Sequence, residues 1–254
     1  MLGKEKIEKE LKKLGVSVPE IIYYDLTDST NTRAREYARA NPDSKKPVVF
    51  IADGQTAGRG RRGRSFFSER GAGIYISILT YPKERGFDAT RATAEAAVLL
   101  SRAIERLCNC EISIKWVNDL YLGGKKLAGI LTEGEMDKEG KIAYQVVGMG
   151  INVYKNAISD EISTIATSLE SEKIRTPSRS ELAAHIISEL LSPHGELFTE
   201  YKERSVIVGK TVTVLKPSES YTARVLDINP DYSLKIVTES GVESLFTGEV
   251  SLKI

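Results

Sequence analysis

Residues 58–64 read Gly-Arg-Gly-Arg-Arg-Gly-Arg, four arginines and three glycines in seven positions, and such a run belongs in a loop. Glycines let a backbone turn tightly and bring its N–H groups close to an anion. Guanidinium groups are permanently charged forks that match phosphate and carboxylate oxygens. Like charge at this density repels itself, and an anionic partner relieves it. The run therefore predicts a loop that closes over a phosphate-bearing ligand and is mobile over 59–65 without one.

The totals sharpen that reading. Net charge is only +1 over 254 residues, with 41% hydrophobic and 28% charged residues, so the loop is a local concentration of charge in a nearly neutral globular protein. A general nucleic-acid coat shows a basic excess over a whole domain. Cys108 and Cys110 are too close for an ordinary disulfide and have no second pair to make a zinc site. Idle thiols suit a reducing compartment. With no apolar run long enough for a membrane span and no signal-peptide core in the first residues, the expectation is a cytoplasmic protein without membrane contact. His185 lies within a helical pattern and His194 at a helix end, both structural positions. Chemistry should run on Arg, Lys, Asp and backbone amides.

Periodicity predicts helices over 4–14, from Thr27-Asp28-Ser29 to Asn41-Pro42, over 88–107, 178–191 and 196–203. It predicts strands over 48–52, 73–79, 111–117, 119–122, 126–133 and 142–153. From Gly209 the texture changes to short strands at 211–215, 223–228, 233–237, 243–246 and 250–254, with turns at Lys216-Pro217, Asn229-Pro230-Asp231 and Ser240-Gly241. Five short strands in so little chain suggest a small barrel. The expected class is α+β, a mixed β-sheet flanked by helices, with a division into 1–207 and 208–254.

Four segments carry polar and basic residues that their elements do not require. They are Asp28-Ser29-Thr30-Asn31, Gln55 through Arg64, Lys115-Trp116-Val117-Asn118-Asp119, and Lys125-Lys126-Leu127-Ala128-Gly129-Ile130-Leu131. Gly129 weakens its strand, which makes sense where a ligand approaches closely. There is no GxxxxGK[ST] loop and no GxGxxG after a first strand, so the common nucleotide folds do not apply.

In order and spacing these segments, together with Gly148-Met149-Gly150-Ile151-Asn152, resemble the biotin protein ligases. The resemblance spans nearly the whole chain, and Gly248-Glu249-Val250-Ser251-Leu252 looks like part of that family's SH3-like C-terminal domain. Two positions depart from the pattern: Val117 stands where the family usually has proline, and Phe66 where it has tryptophan. The residues ahead of Thr27, beyond the first helix, are too few for a DNA-reading domain, so the resemblance points to the monofunctional type without operator binding.

The resemblance implies that ATP activates biotin as biotinyl-5′-adenylate, with Mg²⁺ sharing the triphosphate charge, and that the acyl group passes to one lysine of a biotin carboxyl carrier protein. It implies Arg61, Lys126 and Asp119 as catalytic residues. Ser29, Thr30, Asn31, Gln55, Arg59, Gly60, Arg61, Lys126 and Gly129 would bind biotin. Gly58, Arg59, Arg61, Arg64, Lys115, Asn118, Lys126 and Asn152 would bind ATP or the adenylate. No protein-held metal is implied. Family members often pair through a sheet edge, so a homodimer is an expectation whose edge the sequence does not identify. Two other readings fit fewer residues: a lipoate–protein ligase, which shares the acyl-adenylate chemistry, and an RNA- or DNA-binding module gripping phosphates with the arginine run.

Overall fold

The computed structural model describes residues 2–82, 86, 88–215, 219–246 and 249–252. It begins with helix α1 (Lys4–Lys13), strand β1 (Glu20–Tyr24), helix α2 (Thr30–Ala40) and strands β2 (Val48–Ala52) and β3 (Gly73–Thr80). Helix α3 (Ala89–Cys108) then leads into β4 (Ser113–Lys115), β5 (Asp119–Leu122), β6 (Lys125–Met136) and β7 (Ile142–Asn152). Helices α4 (Arg179–Leu191) and α5 (Phe198–Glu203) follow, and the chain finishes with β8 (Thr211–Leu215), β9 (Ser220–Ile228), β10 (Leu234–Thr238), β11 (Gly241–Leu245) and β12 (Glu249–Leu252).

Strands β1 to β7 form one sheet in the order β1-β2-β3-β7-β6-β5-β4. It is mixed, because β1 runs parallel to β2 and the other neighbours are antiparallel. The last five strands make a separate antiparallel sheet in the order β11-β10-β9-β8-β12. The α+β class and the small C-terminal β-domain therefore agree with expectation. The predicted turn at Lys216-Pro217, Gly248 and the last two residues of the predicted final strand lie outside the described residues.

Strand alternation decides which face does what. On β3, Ile74, Ile76 and Ile78 point into the main core with Val147, Met149 and Ile151 of β7, under α3, α4 and α1. Each such side chain removed from water stabilises by about 1.5–3 kcal/mol. The opposite face carries a smaller cluster of Ala34, Ala38, Val48, Phe50, Leu79 and Val146 beneath α2. That cluster covers only part of the face. Beyond it, Tyr75, Ser77, Gly148, Gly150, Gly129 and Leu131 are left as a floor, aligned in two rows by register: Ser77–Gly148–Leu131 and Tyr75–Gly150–Gly129.

Two elements differ from expectation. Strand β1 was not predicted. It is a short edge strand, only Ile21 of which is fully buried, so its sequence shows no clean alternation. Strand β4 is shorter than 111–117. Beyond it the chain turns through a cis Trp116–Val117 peptide, and the outer side of Ile114 bonds to Arg204 and Val206. Trp116 is buried, and its indole N–H donates to the Tyr232 carbonyl at 2.8 Å, tying the β4–β5 corner to the C-terminal sheet.

Candidate active site

The first turn of α2 points at the floor of the sheet. Ser29 has the extended backbone of a cap residue, but its side chain makes no capping bond. Gln55, on the loop after β2, takes that role: its Oε1 accepts from the Thr30 N–H at 2.8 Å and the Thr30 hydroxyl at 3.2 Å. Its Nε2 donates to Ser68 Oγ at 3.0 Å. The buried Ser77 hydroxyl lies 2.7 Å from Thr30 Oγ1 and 2.6 Å from Asn31 Oδ1. A helix start aimed at the floor, with its partial positive charge, favours an electron-rich group there.

The glycines make this possible. A Cβ on Gly148 would collide with the Asn31 amide, and one on Gly150 would meet the Phe66 ring at 2.5 Å. Phe66 lies over the Tyr75–Gly150–Gly129 row, with its ring centroid 6.5 Å from that of Tyr75 in an edge arrangement. The aromatic ring expected at that position is thus in place as phenylalanine.

The arginine loop closes over the same floor. Gly60 N–H donates to the Arg64 carbonyl at 2.7 Å and Phe66 N–H to the Gly58 carbonyl at 2.8 Å. The repulsion that argues for an open loop is met by internal partners. Arg59 pairs with Glu133, Arg61 donates to Asn118 Oδ1 at 3.2 Å, and Arg62 donates to the Leu215 carbonyl at 2.7 Å, on the C-terminal sheet. Arg62 adopts a left-handed backbone (φ 56°, ψ 37°) at the tip of the loop.

A chain of polar groups continues from Arg61. Asn118 Nδ2 donates to Asp119 Oδ1 at 2.8 Å, and the Lys126 ammonium lies 2.7 Å from the same oxygen. Lys115 stands across from Asp119 in the β4–β5 pairing, its ammonium 5.8 Å from the centroid of the Tyr121 ring. Burial, with Asp119 second, pushes the Tyr121 hydroxyl up to about 12, so it stays a neutral phenol.

These parts line one open-mouthed cleft of about 950 Å³ when the solvent at its mouth is counted. Ser29, Thr30, Asn31, Gln55, Arg59, Gly60, Arg61, Arg64, Lys115, Asn118, Asp119, Lys126 and Gly129 all line it. Two expected residues do not. Gly58 lies behind the loop, packed against the Phe66 carbonyl and Ser68. Asn152 is buried at the end of β7, with its amide donating to the Thr167 carbonyl at 3.1 Å. Ser77 and Glu133 were not singled out from sequence, and Gly148 and Phe66 were noted as parts of the family pattern without a site role. All four loop arginines line the cleft, with Arg59, Arg62 and Arg64 also exposed to solvent, and among the described residues no helix is long and apolar enough to cross a membrane.

Comparison with known proteins agrees with this architecture. Residues 23–152 match the model of the biotin/lipoate A/B protein ligase family. The chain is 28% identical to the Bacillus subtilis bifunctional ligase/repressor BirA over 94% of this chain and 76% of that one. It is 32% identical to the Mycobacterium tuberculosis biotin–[acetyl-CoA-carboxylase] ligase, over 75% and 73% of the two chains. The Aquifex aeolicus biotin protein ligase solved with biotin and ATP superposes with a TM-score of 0.72 at 26% identity, covering 92% of this chain and 98% of that structure. With the cleft, the sheet order and these relatives in agreement, the chain belongs to the biotin/lipoate A/B protein ligase family and is an enzyme of the biotin protein ligase class.

Proposed function

We propose that this enzyme joins biotin to ATP as biotinyl-5′-adenylate and then transfers the biotinyl group to a lysine of a biotin carboxyl carrier protein. In the first step a biotin carboxylate oxygen attacks the α-phosphorus and the bond to pyrophosphate breaks. In the second the lysine nitrogen attacks the acyl carbon, the bond to AMP breaks, and the amine gives up a proton.

The observation that carries this reading is the single cleft in which a hydroxyl–amide network (Thr30, Gln55 and Asn31, tied together by the buried Ser77 hydroxyl) and a cationic chain (Arg61, Asn118, Asp119, Lys126) face a floor of glycines. Hydroxyls and amides both give and accept hydrogen bonds, as a ureido ring requires. Gly150 lets the Phe66 ring pack directly on the floor, where it forms an apolar wall beside which a stem can lie. Joining a carboxylate to a triphosphate brings two anions together, and fixed cations lower that barrier. Arg61 and Lys126 are the cations suited to it. Asp119, oriented by Asn118 and Lys126, is suited to receive the amine proton.

No three His, Cys, Asp or Glu side chains converge as a metal site among the described residues, and Asp119 is committed to Lys126. The residues present do not fit a protein-held Mg²⁺; the ion belongs to the triphosphate as part of the substrate. The separate sheets support a division between a catalytic part, 1–207, and a β-domain, 208–254. The test is acylation of an apo carrier domain with ATP and either biotin or lipoate. Biotin attached to one lysine is expected, and a carrier that takes lipoate instead contradicts the assignment.

A further inference from the structure

We infer that Glu133 is a positioning residue for the proposed reaction, docking the arginine loop onto the sheet through Arg59. It stands on β6, two residues on from Leu131 and four from Gly129, on the face that makes the cleft floor. Its Oε2 accepts from Arg59 at 3.2 Å and its Oε1 lies 3.1 Å from the second Arg59 nitrogen, a fork-to-fork pair. The Arg35 guanidinium of α2 reaches Oε1 at 3.1 Å, and the Asn31 amide donates to Oε2 at 2.9 Å. The Glu133 side chain is 19% exposed and that of Arg59 43%, so the pair sits at the boundary between sheet and solvent.

Three features make this more than a surface ion pair. The geometry is bidentate, which fixes direction as well as distance. The carboxylate also holds Asn31, whose Oδ1 is held by Ser77, so loop and floor are positioned by one group. Arg35 supplies a second counter-charge. If Arg59 turns toward a substrate anion, Glu133 is not left as a half-buried charge without a partner, a situation that carries a large penalty. Arg59 is therefore parked where it can be exchanged. In a run with Arg61, Arg62 and Arg64, this anchor is what offsets the repulsion at the start of the loop.

The inference rests on the proposed function, and its test separates the two. Biotin-dependent exchange of pyrophosphate into ATP and trypsin cleavage after Arg61, Arg62 or Arg64, sites common to every variant, are measured for the wild type, Glu133→Gln, Arg59→Gln and the double variant. Glu133→Gln should raise the loop-cleavage rate and the KM for biotin roughly five- to tenfold, as for a partly buried charge-assisted pair, with kcat changed less. In the Arg59→Gln background the same substitution should add much less, leaving only the share carried by Arg35 and Asn31. Equal effects of Glu133→Gln in both backgrounds would mean that it acts on the fold or on Asn31 alone, and would overturn the inference. Should Glu133→Gln lose its cooperative unfolding transition, Arg59→Gln still decides: a loop as resistant as the wild type's overturns it. No exchange by the wild type would instead sink the proposed function.

Discussion

The Lys126 ammonium and the Asp119 carboxylate meet at 2.7 Å, and the oxygen they share also accepts from Asn118 at 2.8 Å. Asp119 stands at the start of β5 and Lys126 on β6, so the sheet itself holds the pair together. A carboxylate that both fixes a lysine and faces a cleft has two effects that can be separated. Asp119→Asn keeps the shape and removes the base. Transfer from preformed adenylate to carrier should fall by about 10²-fold or more, the usual loss for a general base, while pyrophosphate exchange falls less. Equal losses in the two half-reactions would remove Asp119 from the role of base.

Arg61 is the arginine joined to the polar chain around Asp119. Arg61→Gly should loosen the loop where it covers the mixed anhydride, so that adenylate escapes and acylates lysines of bystander proteins. Mass spectrometry of a mixed protein pool incubated with biotin and ATP reads this out. A variant that still labels only the carrier contradicts the covering role.

Gly148 is a matter of space. Alanine there collides with the Asn31 amide, which is already bonded to Ser77 and Glu133. Overpacking of this kind costs about 1–3 kcal/mol. Gly148→Ala should lower the urea midpoint accordingly and weaken biotin binding, measured by titration calorimetry. Unchanged affinity would show that the Asn31 position does not matter to the ligand.

Acid should act through Glu200. Burial alone would raise its carboxyl, but hydrogen bonds from Arg102 and Arg204 outweigh that and hold it below the ordinary 4.5. A depressed folded value means that its contribution is present above the unfolded value and lost as pH falls through the folded one. Unfolding midpoints compared at neutral pH and below about pH 4 should show a smaller acid loss for Glu200→Gln than for the wild type. An identical acid slope would remove Glu200 from the account.

Much of the site was legible because its chemistry is local in sequence. The arginine run, the Lys115–Asp119 corner and Lys126 each announce themselves by a charge where an element does not need one, and all reach one cleft. What stayed hidden depends on partners far along the chain. Glu133 looks like an ordinary strand residue until Arg35 and Arg59, 98 and 74 positions away, arrive at it. Ser77 sits in an apolar strand whose face cannot be assigned before α2 is placed. Gln55 reads as a binding residue, yet its oxygen caps α2 from a distant loop, while Ser29, at the head of that helix, leaves its side chain unused for capping. Asn152 ends a glycine-rich strand, but its amide bonds to Thr167. β1 was missed because a short edge strand with one buried residue has no clean period to detect.

The most direct test is biotin-dependent exchange of labelled pyrophosphate into ATP by the purified chain, repeated with Lys126→Ala. Exchange that requires biotin and falls by about 10²-fold or more in the variant, as for loss of a preorganised charge at the reacting phosphate, is the predicted result. No exchange by the wild type, or full exchange by the variant, would contradict the account.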